Sequence, residues 1–409
     1  MGINSKKVKS CNYCKSNQLK QIYSFGKQPL ANALTNDIIS EEKKFYLKLL
    51  ICKKCYLVQL SEIINPKLMF KQYTWVTGTS VKSQEHCKNL ANLIKRRVNK
   101  STFSILEVAS NDATFLKNFQ SDNLRKVVGI DPAVNFQSCY GKKMHFINDF
   151  FNNKSANQIL KKYGTFDVIV ARNVFSHIPD AHEVFKSVAK LLNDDGLFYI
   201  EFHWLVKILK ELHYDSIYHE HSFYHSVNSI SSFLGDYNLY PYYAFESPIS
   251  GGSIVLEARK NVSKPTKELK LLTKKEKQSG ITNLEAWRKF AEKVDYNLDS
   301  LSRVIKNNSN RKIAAFGVSA RSSTILNAIG KEATRIIEIA DNNSAKWNKF
   351  TPGTKIPIVS VSQMVNKNPD LIIVFPFNFE AEIIHQLREL KWSGELVFPL
   401  PKKIRTIKI

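Results

Sequence analysis

Two cysteine pairs place the strongest constraint on how the N-terminal part of this chain can fold. Cys11 and Cys14 stand in CNYC, and Cys52 and Cys55 stand in CKKC. Two CxxC knuckles can bring four thiolates onto one tetrahedral Zn²⁺ with little strain, and in a reducing compartment they are more readily metal ligands than disulfides. Four cysteines leave no open position for a catalytic water. The spacing therefore predicts a structural zinc site, with unpaired buried thiols as the alternative.

Length and charge narrow the class of protein. The chain has 409 residues, of which 43% are hydrophobic, so it can form two or three domains. No window approaches the ~18 apolar residues of a membrane span, and the N-terminus lacks the apolar stretch of a secretory signal, so we expect a cytoplasmic protein without a membrane partner. The net charge is +24, but the basic residues are spread along the chain. This distribution argues against a nucleic-acid partner and is compatible with an anionic small substrate.

The order of strands, turns and helices from about residue 103 predicts a nucleotide-binding α/β domain. FSILEV reads as a strand ending at Val108, followed by the small turn ASNDA and a helix that begins near Asp112. VVGI reads as a second strand ending in Asp131, roughly 20 residues after the first turn, where such folds hold a ribose diol. FDVIVARN and GLFYIEF read as further strands. This alternation predicts a doubly wound parallel sheet with ligands at the carboxyl ends of its strands.

The first turn discriminates between cofactors. Glu107 precedes a turn that is not GxGxxG and offers no cradle for a pyrophosphate, which disfavours NAD. The turn favours S-adenosylmethionine (SAM), because SAM consists of a nucleoside and an amino acid and carries no phosphate. Another nucleotide-type α/β domain remains the alternative.

The stretch YHEH places four proton-transfer groups side by side, from Tyr218 to His221. A zinc-protease helix needs two histidines four residues apart, whereas His219 and His221 are two apart, so that metal motif is absent. A hydrogen-bonded polar cluster and acid/base machinery both remain open.

An ordered set of stretches over nearly the whole chain resembles the deoxysugar C-methyltransferases, SAM-dependent enzymes that methylate a ring carbon of nucleotide-linked 4-keto sugars. The stretches are CNYC, SFGKQPLANAL, CKKCYLVQL, LEVASNDATFL, GIDPA, ARNVFSHIPD, YHEH, SGGS, AAFGVSARSSTILN and TPGTKIPI. The resemblance implies a zinc-binding module (1–75), a SAM-binding Rossmann-like methyltransferase domain (76–240) and a C-terminal α/β substrate-binding domain with a helical connector (241–409).

The resemblance also implies roles for individual residues. The family's four cysteines hold a structural zinc, and the histidine that ends its YxEH segment is the proposed base, which matches His221. Glu220 and Tyr218 match supporting residues, and His177 matches a histidine near the substrate. A ketone at C4 acidifies the neighbouring C–H, so a base can leave an enolate whose carbon attacks the methyl group of SAM. Glu220 would fix the tautomer of His221 in a bent segment, and Tyr218 or His177 would donate to the enolate oxygen.

The C-terminal third contains a second loop of interest. RKIAAFGVSARSSTILN reads as a strand, a loop of small and hydroxyl residues and a helix, after a charged helical connector over residues 265–309. Such a loop can receive an anion at the helix N-terminus, and Arg321 adds charge. We therefore predict that Ser319, Arg321 and Ser322 lie near the diphosphate or sugar of the substrate, with packing alone as the alternative.

Two departures from the family motivate alternatives. Ala109 and Ala113 stand where the family has glycine, and an alanine in the left-handed region costs roughly 1–2 kcal/mol. A tyrosine pair of the family reads here as Tyr73 and Trp75. A SAM-independent isomerase or epimerase of a keto-sugar nucleotide is therefore the first alternative. Charge and the CxxC pairs motivate a second, a zinc-containing RNA methyltransferase or a non-catalytic nucleic-acid module.

The prediction as a whole is SAM-dependent C-methylation of a nucleotide-linked 4-keto sugar, with SAM and a structural Zn²⁺ as cofactors and no nucleic-acid partner. Asp131 would hold the ribose of SAM, and Asp149 and Asn173 would complete the pocket. The predicted cofactor-binding residues are Glu107, Ala109, Asn111, Asp112, Asp131, Asp149 and Asn173, and the predicted substrate-binding residues are Tyr73, Trp75, Ser319, Arg321 and Ser322.

Overall fold

The computed structural model of the chain describes residues 4–39, 41–70, 76–119 and 124–409. Tyr73 and Trp75, both predicted to contact substrate, lie outside these ranges. Sheets of four, seven and six strands organise the described chain, with a two-stranded sheet beside the first. They form the N-terminal module, the methyltransferase domain and the C-terminal α/β domain, so the predicted fold class is confirmed.

The N-terminal module is built from short antiparallel strands. These are β1 (Ser5–Lys7), β2 (Leu19–Pro29), β3 (Lys44–Cys52), β4 (Val58–Leu60) and β5 (Glu62–Ile64). The strands β2, β3 and β4 form a meander, and β1 pairs with β5. A further strand, β11 (Phe223–Tyr224), comes from the middle of the chain and pairs antiparallel with β4. The module therefore shares a sheet with the domain that follows it.

The methyltransferase domain has a seven-stranded sheet with helices on its faces. Its strands are β6 (Ser104–Val108), β7 (Lys126–Ile130), β8 (His145–Ile147), β9 (Phe166–Arg172), β10 (Leu192–His203), β12 (Tyr240–Ser247) and β13 (Ser253–Arg259). Its helices are α1 (Val81–Val98), α2 (Asn153–Tyr163), α3 (Ala181–Leu191), α4 (Leu205–Glu211) and α5 (Val227–Leu234). The order is β8-β7-β6-β9-β10-β13-β12, and only β13 runs against the others.

The inner strands of this sheet are buried on both faces. Every residue of β6 is buried, and β7 and β9 are apolar along most of their length, which is typical of parallel strands covered by helices on both sides. The sheet extends to Arg259, beyond the boundary predicted at residue 240, because two antiparallel strands complete it.

The predicted helix near Asp112 is wrong. Turns occupy this part of the chain and a short 3₁₀ helix follows at Leu116–Phe119. Asn111 and Ala113 have positive φ angles of 51° and 61°, and an α-helix cannot continue through left-handed residues.

The C-terminal domain begins with a helical connector, as predicted. Its helices are α6 (Lys267–Ser279), α7 (Leu284–Asn307), α8 (Ala320–Ile329), α9 (Val361–Asn366) and α10 (Glu380–Glu389). Its strands are β14 (Ile313–Phe316), β15 (Ile336–Ala340), β16 (Ile358–Val359), β17 (Leu371–Val374), β18 (Glu395–Phe398) and β19 (Arg405–Lys408). The order is β16-β15-β14-β17-β18-β19, and β19 alone is antiparallel to its neighbour. Along the described part of the chain, no helix is both long and apolar enough to cross a membrane.

Candidate active site and metal centre

The four cysteines predicted to bind zinc come together. One Sγ atom from each lies within 4.8 Å of the others, and the separations are 3.5 Å for Cys11 to Cys55 and for Cys14 to Cys52. The two knuckles have the same shape, because the residue after each second cysteine donates its N–H to the first cysteine's carbonyl and has a positive φ. Four thiolates at these separations suit a tetrahedral zinc ion. The predicted zinc-binding donor set is therefore confirmed.

The turn after β6 holds its backbone in an unusual conformation. The φ angles of Ala109, Asn111 and Ala113 are 55°, 51° and 61°. The carboxylate of Asp131, at the end of β7, accepts the N–H of Asn111 and that of Ala133, both at 2.9 Å. Asp131 thereby ties the ends of β6 and β7 together, and each of its oxygens keeps a lone pair that fits a ribose hydroxyl.

Glu107 lies below this turn in a buried ion pair. Its Oε1 accepts from Nη2 of Arg172 at 2.9 Å, and burial raises the pKa of Glu107 to about 7 despite this partner. Its Oε2 is buried and accepts no hydrogen bond from the described residues. An amino group such as that of SAM would satisfy this oxygen, so the residues present fit the cofactor.

Asn111 and Asp112 make contacts that the sequence did not predict. Oδ1 of Asn111 accepts the N–H of Thr77, and Oδ2 of Asp112 accepts the N–H of Gly78, both at 3.0 Å. A Cβ at Gly78 would lie 2.5 Å from Oδ2 of Asp112, so glycine permits the close approach. These two side chains therefore fasten the Thr77–Gly78 segment against the cofactor turn.

The remaining predicted cofactor residues lie at neighbouring strand ends. Asp149 follows β8, and its carboxylate accepts the N–H of Phe150 at 2.8 Å. Asn173 follows β9, has a φ of 52°, and donates its N–H to the carbonyl of Glu201 at 2.7 Å. Both lie on the edge where ligands bind in folds of this type.

His221 is held by two hydrogen bonds that determine its tautomer. Nδ1 contacts the carbonyl of Ser216 at 2.9 Å, and Nε2 contacts the hydroxyl of Tyr218 at 2.7 Å. Because a carbonyl only accepts, Nδ1 carries the proton and Nε2 accepts from Tyr218. Burial, assisted by the nearby His177 and Arg321, holds the pKa of His221 well below its ordinary value. The ring is therefore neutral and can receive a proton at Nε2.

His177 lies beside His221, with 5.0 Å between the ring centroids. Its Nδ1 donates to the carbonyl of Glu220 at 2.7 Å, and burial lowers its pKa to about 4. The hydroxyl of Tyr218 also stays protonated, because burial raises the pKa of this group. The structure thus brings together three of the four predicted catalytic side chains as neutral groups.

Glu220 does not fix the tautomer of His221, which was one part of its predicted role. Both nitrogens of His221 are occupied by Ser216 and Tyr218, so the backbone carbonyl selects the tautomer. Oε1 of Glu220 instead accepts from Nδ2 of Asn32 at 2.5 Å. Asn32 belongs to SFGKQPLANAL, a stretch that carried the family resemblance but from which no site residue was predicted.

The C-terminal loop supplies one residue near this site. Ser319 and Ser322 form a reciprocal cap at the start of α8, each accepting the other's backbone N–H. Arg321 reaches the methyltransferase domain, where Nη1 lies 3.3 Å from Oδ2 of Asp215 and Nη2 donates to the carbonyl of Ser250 at 2.6 Å. Local capping thus explains the two serines, while Arg321 brings a positive charge close enough to lower the pKa of His221.

The sheet order and the cofactor turn define a SAM-dependent methyltransferase. Three family profiles match successive parts of the chain: a zinc binding domain over residues 11–70, a methyltransferase domain over 82–243 and a C-methyltransferase C-terminal domain over 248–401. C-methyltransferase NovU from Streptomyces niveus is 29% identical over an alignment that covers 97% of this chain and 96% of that protein. These matches and this relative identify a SAM-dependent C-methyltransferase with three successive domains, which favours methyl transfer over the predicted alternative of a SAM-independent isomerase.

Two solved structures each resemble less than half of the chain. The PH0226 protein from Pyrococcus horikoshii OT3 has a TM-score of 0.37 and 16% identity, covering 46% of this chain and 94% of its own. The SAM-bound magnesium protoporphyrin IX methyltransferase ChlM from Synechocystis PCC 6803 has a TM-score of 0.32 and 13% identity, with coverages of 44% and 80%.

Proposed function

We propose that this C-methyltransferase acts on a nucleotide-linked 4-keto deoxysugar and methylates the carbon next to the ketone. The observation that carries the proposal is the neutral His221, whose Nε2 accepts from Tyr218 while Nδ1 is held by a carbonyl. Carbon is a poor nucleophile until a proton is removed, and a ketone makes that proton removable by a base. A buried neutral histidine paired with a phenol is suited to this step.

Tyr218 and His221 change hydrogen-bond partners as the reaction proceeds. When the hydroxyl of Tyr218 turns to the ketone oxygen, Nε2 of His221 is left with a free lone pair that takes the proton from carbon. The electron pair of the broken C–H bond moves onto the oxygen, where Tyr218 donates a hydrogen bond to the developing charge. The enolate carbon would then take the methyl group as its bond to sulfur breaks, S-adenosylhomocysteine would leave with that electron pair, and the imidazolium loses its proton to solvent. Glu220 lies close enough to these groups to affect the pKa of Tyr218, and its negative charge favours the imidazolium.

The cofactor would sit at the edge formed by β6 and β7. SAM supplies an electrophilic methyl group when bound, and Asp131 with Oε2 of Glu107 are the acceptors that would hold its ribose and its amino group. The strained turn from Ala109 to Ala113 would border the same ligand.

The charge of the chain supports an anionic substrate. Arg321 reaches from the C-terminal domain to the neighbourhood of His221, and buried His203 and His213 lie together, with 3.3 Å between Nε2 and Nδ1. Positive and hydrogen-donating groups between two domains are typical of sites for phosphorylated ligands. We therefore assign the diphosphate of a nucleotide sugar to this side of the cleft.

The test separates proton removal from methyl transfer. Zinc-loaded protein is incubated with nucleoside-diphosphate 4-keto-6-deoxysugars in D₂O, and mass spectrometry follows deuterium uptake without SAM and CD₃ transfer from labelled SAM. We expect both in the wild type and neither in His221→Gln, with SAM binding retained. His219→Gln is the matched control, because Nε2 of His219 faces the carbonyl of Phe45. Methyl transfer to oxygen or nitrogen, or deuterium uptake undiminished in His221→Gln, would contradict the proposal.

A further inference from the structure

The N-terminal module reaches the active site through the side chain of Asn32. Its Nδ2 donates to Oε1 of Glu220 at 2.5 Å, although 188 residues separate the two along the chain. Glu220 is only 4% exposed. A hydrogen bond to an ionised carboxylate is about twice as strong as one between neutral groups, and a buried carboxylate without its donor is strongly destabilised. One donor for this carboxylate therefore comes from a different domain.

The turn that contains Asn32 is held from two sides. The N–H of Leu34 donates to the carbonyl of Asn32 at 2.9 Å, and Thr35 forms a β-bridge with Phe350 of the C-terminal domain. A Cβ added to Gly353 would lie 3.0 Å from Pro29, so the stretches PLAN and TPGT pack closely here. A turn that the C-terminal domain contacts on both flanks of Asn32 can orient a side chain within the site.

Glu220 connects this turn with both histidines. Its backbone carbonyl accepts from Nδ1 of His177 at 2.7 Å, and the next residue is His221. Because the carboxylate and the carbonyl belong to one residue, a shift of the Glu220 backbone that follows loss of the Asn32 contact would also move the acceptor of His177. The orientation of one histidine and the backbone position of the other thus depend on where this side chain is held.

We propose that Asn32 is a positioning residue that holds Glu220 and, through it, aligns His177 and His221 for proton transfer. The proposal rests on the proposed function, because it concerns the base of the enolisation step. Among the described residues, the other titratable or charged groups near this segment are His203, Asp215, Tyr218, His219, Tyr224, His225 and Arg321.

Asn32→Asp is the decisive variant, because aspartate keeps the shape of asparagine and replaces the donor by a titratable group. Two carboxylates within hydrogen-bond distance cannot both ionise readily, so the pair retains one shared proton at low pH and loses it as the pH rises. At low pH the shared proton forms a hydrogen bond to Glu220, as the amide of Asn32 does in the wild type. At high pH the two negative charges repel each other, and the side chain of Glu220 moves away. Asn32→Ala lacks a donor at every pH.

The matched control is Asn36→Asp. Asn36 lies four residues further along the same module and is exposed. This variant adds the same charge without a carboxylate partner in the site. The comparison of Asn32→Asp with Asn36→Asp therefore isolates the contact with Glu220 and does not depend on whether Asn32→Ala folds.

The first readout requires no substrate. Ring ¹⁵N chemical shifts of His177 and His221 are followed against pH in zinc-loaded, full-length protein labelled at histidine. In Asn32→Asp we expect a transition of the His177 tautomer between about pH 5 and 8 that the wild type and Asn36→Asp lack, and an altered tautomer of His177 at every pH in Asn32→Ala. Superimposable titrations of Asn32→Asp and Asn36→Asp would overturn the proposal.

The second readout is turnover of the keto sugar that proves active. Across the same pH range kcat of Asn32→Asp should fall at least tenfold relative to Asn36→Asp, with the Kd of SAM unchanged. An equal loss of kcat at all pH values would overturn the proposal, because it would indicate structural damage only. If the wild type methylates no keto sugar, the proposed function fails while the ¹⁵N titration still decides the role of Asn32. A methylated substrate with an unperturbed Asn32→Asp titration overturns the role of Asn32 alone.

Discussion

Replacing Ala109 by glycine should stabilise the protein, because it removes strain from the cofactor turn. Ala109 has a φ of 55°, where the Cβ crowds the following carbonyl at a cost of about 1–2 kcal/mol. Glycine also gives the unfolded chain more freedom, which opposes the gain by about 0.4–1 kcal/mol. Ala109 is only partly buried. The free energy of unfolding should therefore rise by about 0.5–1 kcal/mol.

Glycine variants of two other alanines provide comparisons for this result. Ala113 has a φ of 61° but is fully buried, so glycine there also removes a methyl group worth about 0.8 kcal/mol, and the net change should lie within about 0.5 kcal/mol of zero. Ala133 is buried at a φ of −81°. With no strain to relieve, Ala133→Gly should lose about 1–2 kcal/mol.

Urea unfolding of the zinc-loaded, full-length variants measures these differences as shifts of the midpoint at constant m. Calorimetric titration with SAM then shows whether the strain serves the cofactor, and we expect Ala109→Gly to bind SAM at least as tightly as the wild type. If Ala109→Gly loses as much stability as Ala133→Gly, the left-handed backbone at this position is refuted, and with it the reason for the gain.

Three further predictions concern the metal, the cofactor turn and acid stability. Chelation of zinc should abolish turnover, because the zinc module pairs with β11 close to His221, while much of the affinity for SAM should remain. An activity assay measures the turnover, and calorimetric titration measures the affinity for SAM. Gly78→Ala should weaken SAM binding about tenfold, since its Cβ would displace the carboxylate of Asp112 and break one charge-assisted hydrogen bond. Burial lowers the pKa of His219 from 6.5 to about 4, so its contribution to stability is complete above pH 6.5 and is lost as the pH falls towards 4. The urea midpoint of His219→Gln should therefore decline less over that interval than that of the wild type.

Local patterns predicted the parts of this fold that depend on local chemistry. A CxxC turn forms its own knuckle, so the spacing of Cys11, Cys14, Cys52 and Cys55 was sufficient to predict the metal centre. Buried parallel strands require unbroken apolar runs, which predicted β6, β7 and β9. Ser319 and Ser322 form an S-x-x-S pattern, which is a recognisable sequence signature of a helix cap. The sequence could therefore have predicted the cap, although we predicted an anion site there instead.

Contacts between distant segments had no such signal. The partner of His221 Nδ1 is the backbone carbonyl of Ser216, which any residue type offers, so no sequence pattern could identify it. Asn32 faces Glu220 only because the zinc module, the catalytic loop and the C-terminal domain meet at one place. The helix near Asp112 was predicted from the strand-turn-helix pattern, and it is absent because Asn111 and Ala113 have left-handed backbone, in a turn whose side chains bond to the Thr77–Gly78 segment.

The sheet of the zinc module includes residues that follow His221 directly in the chain. Tyr224 and Phe223 pair with β4, and the carbonyl of Ser222 accepts the N–H of Leu60 at 2.9 Å, one residue after His221. Tyr13, between the two cysteines of the first knuckle, stacks on a phenylalanine of α5 with 4.0 Å between centroids. A metal that closes this module therefore holds one end of the segment that carries His221, while the Asn32 turn contacts the carboxylate of Glu220. These two attachments to one module explain how a segment with little regular structure can hold the tautomer of His221, so the alignment of His221 should depend on a folded module.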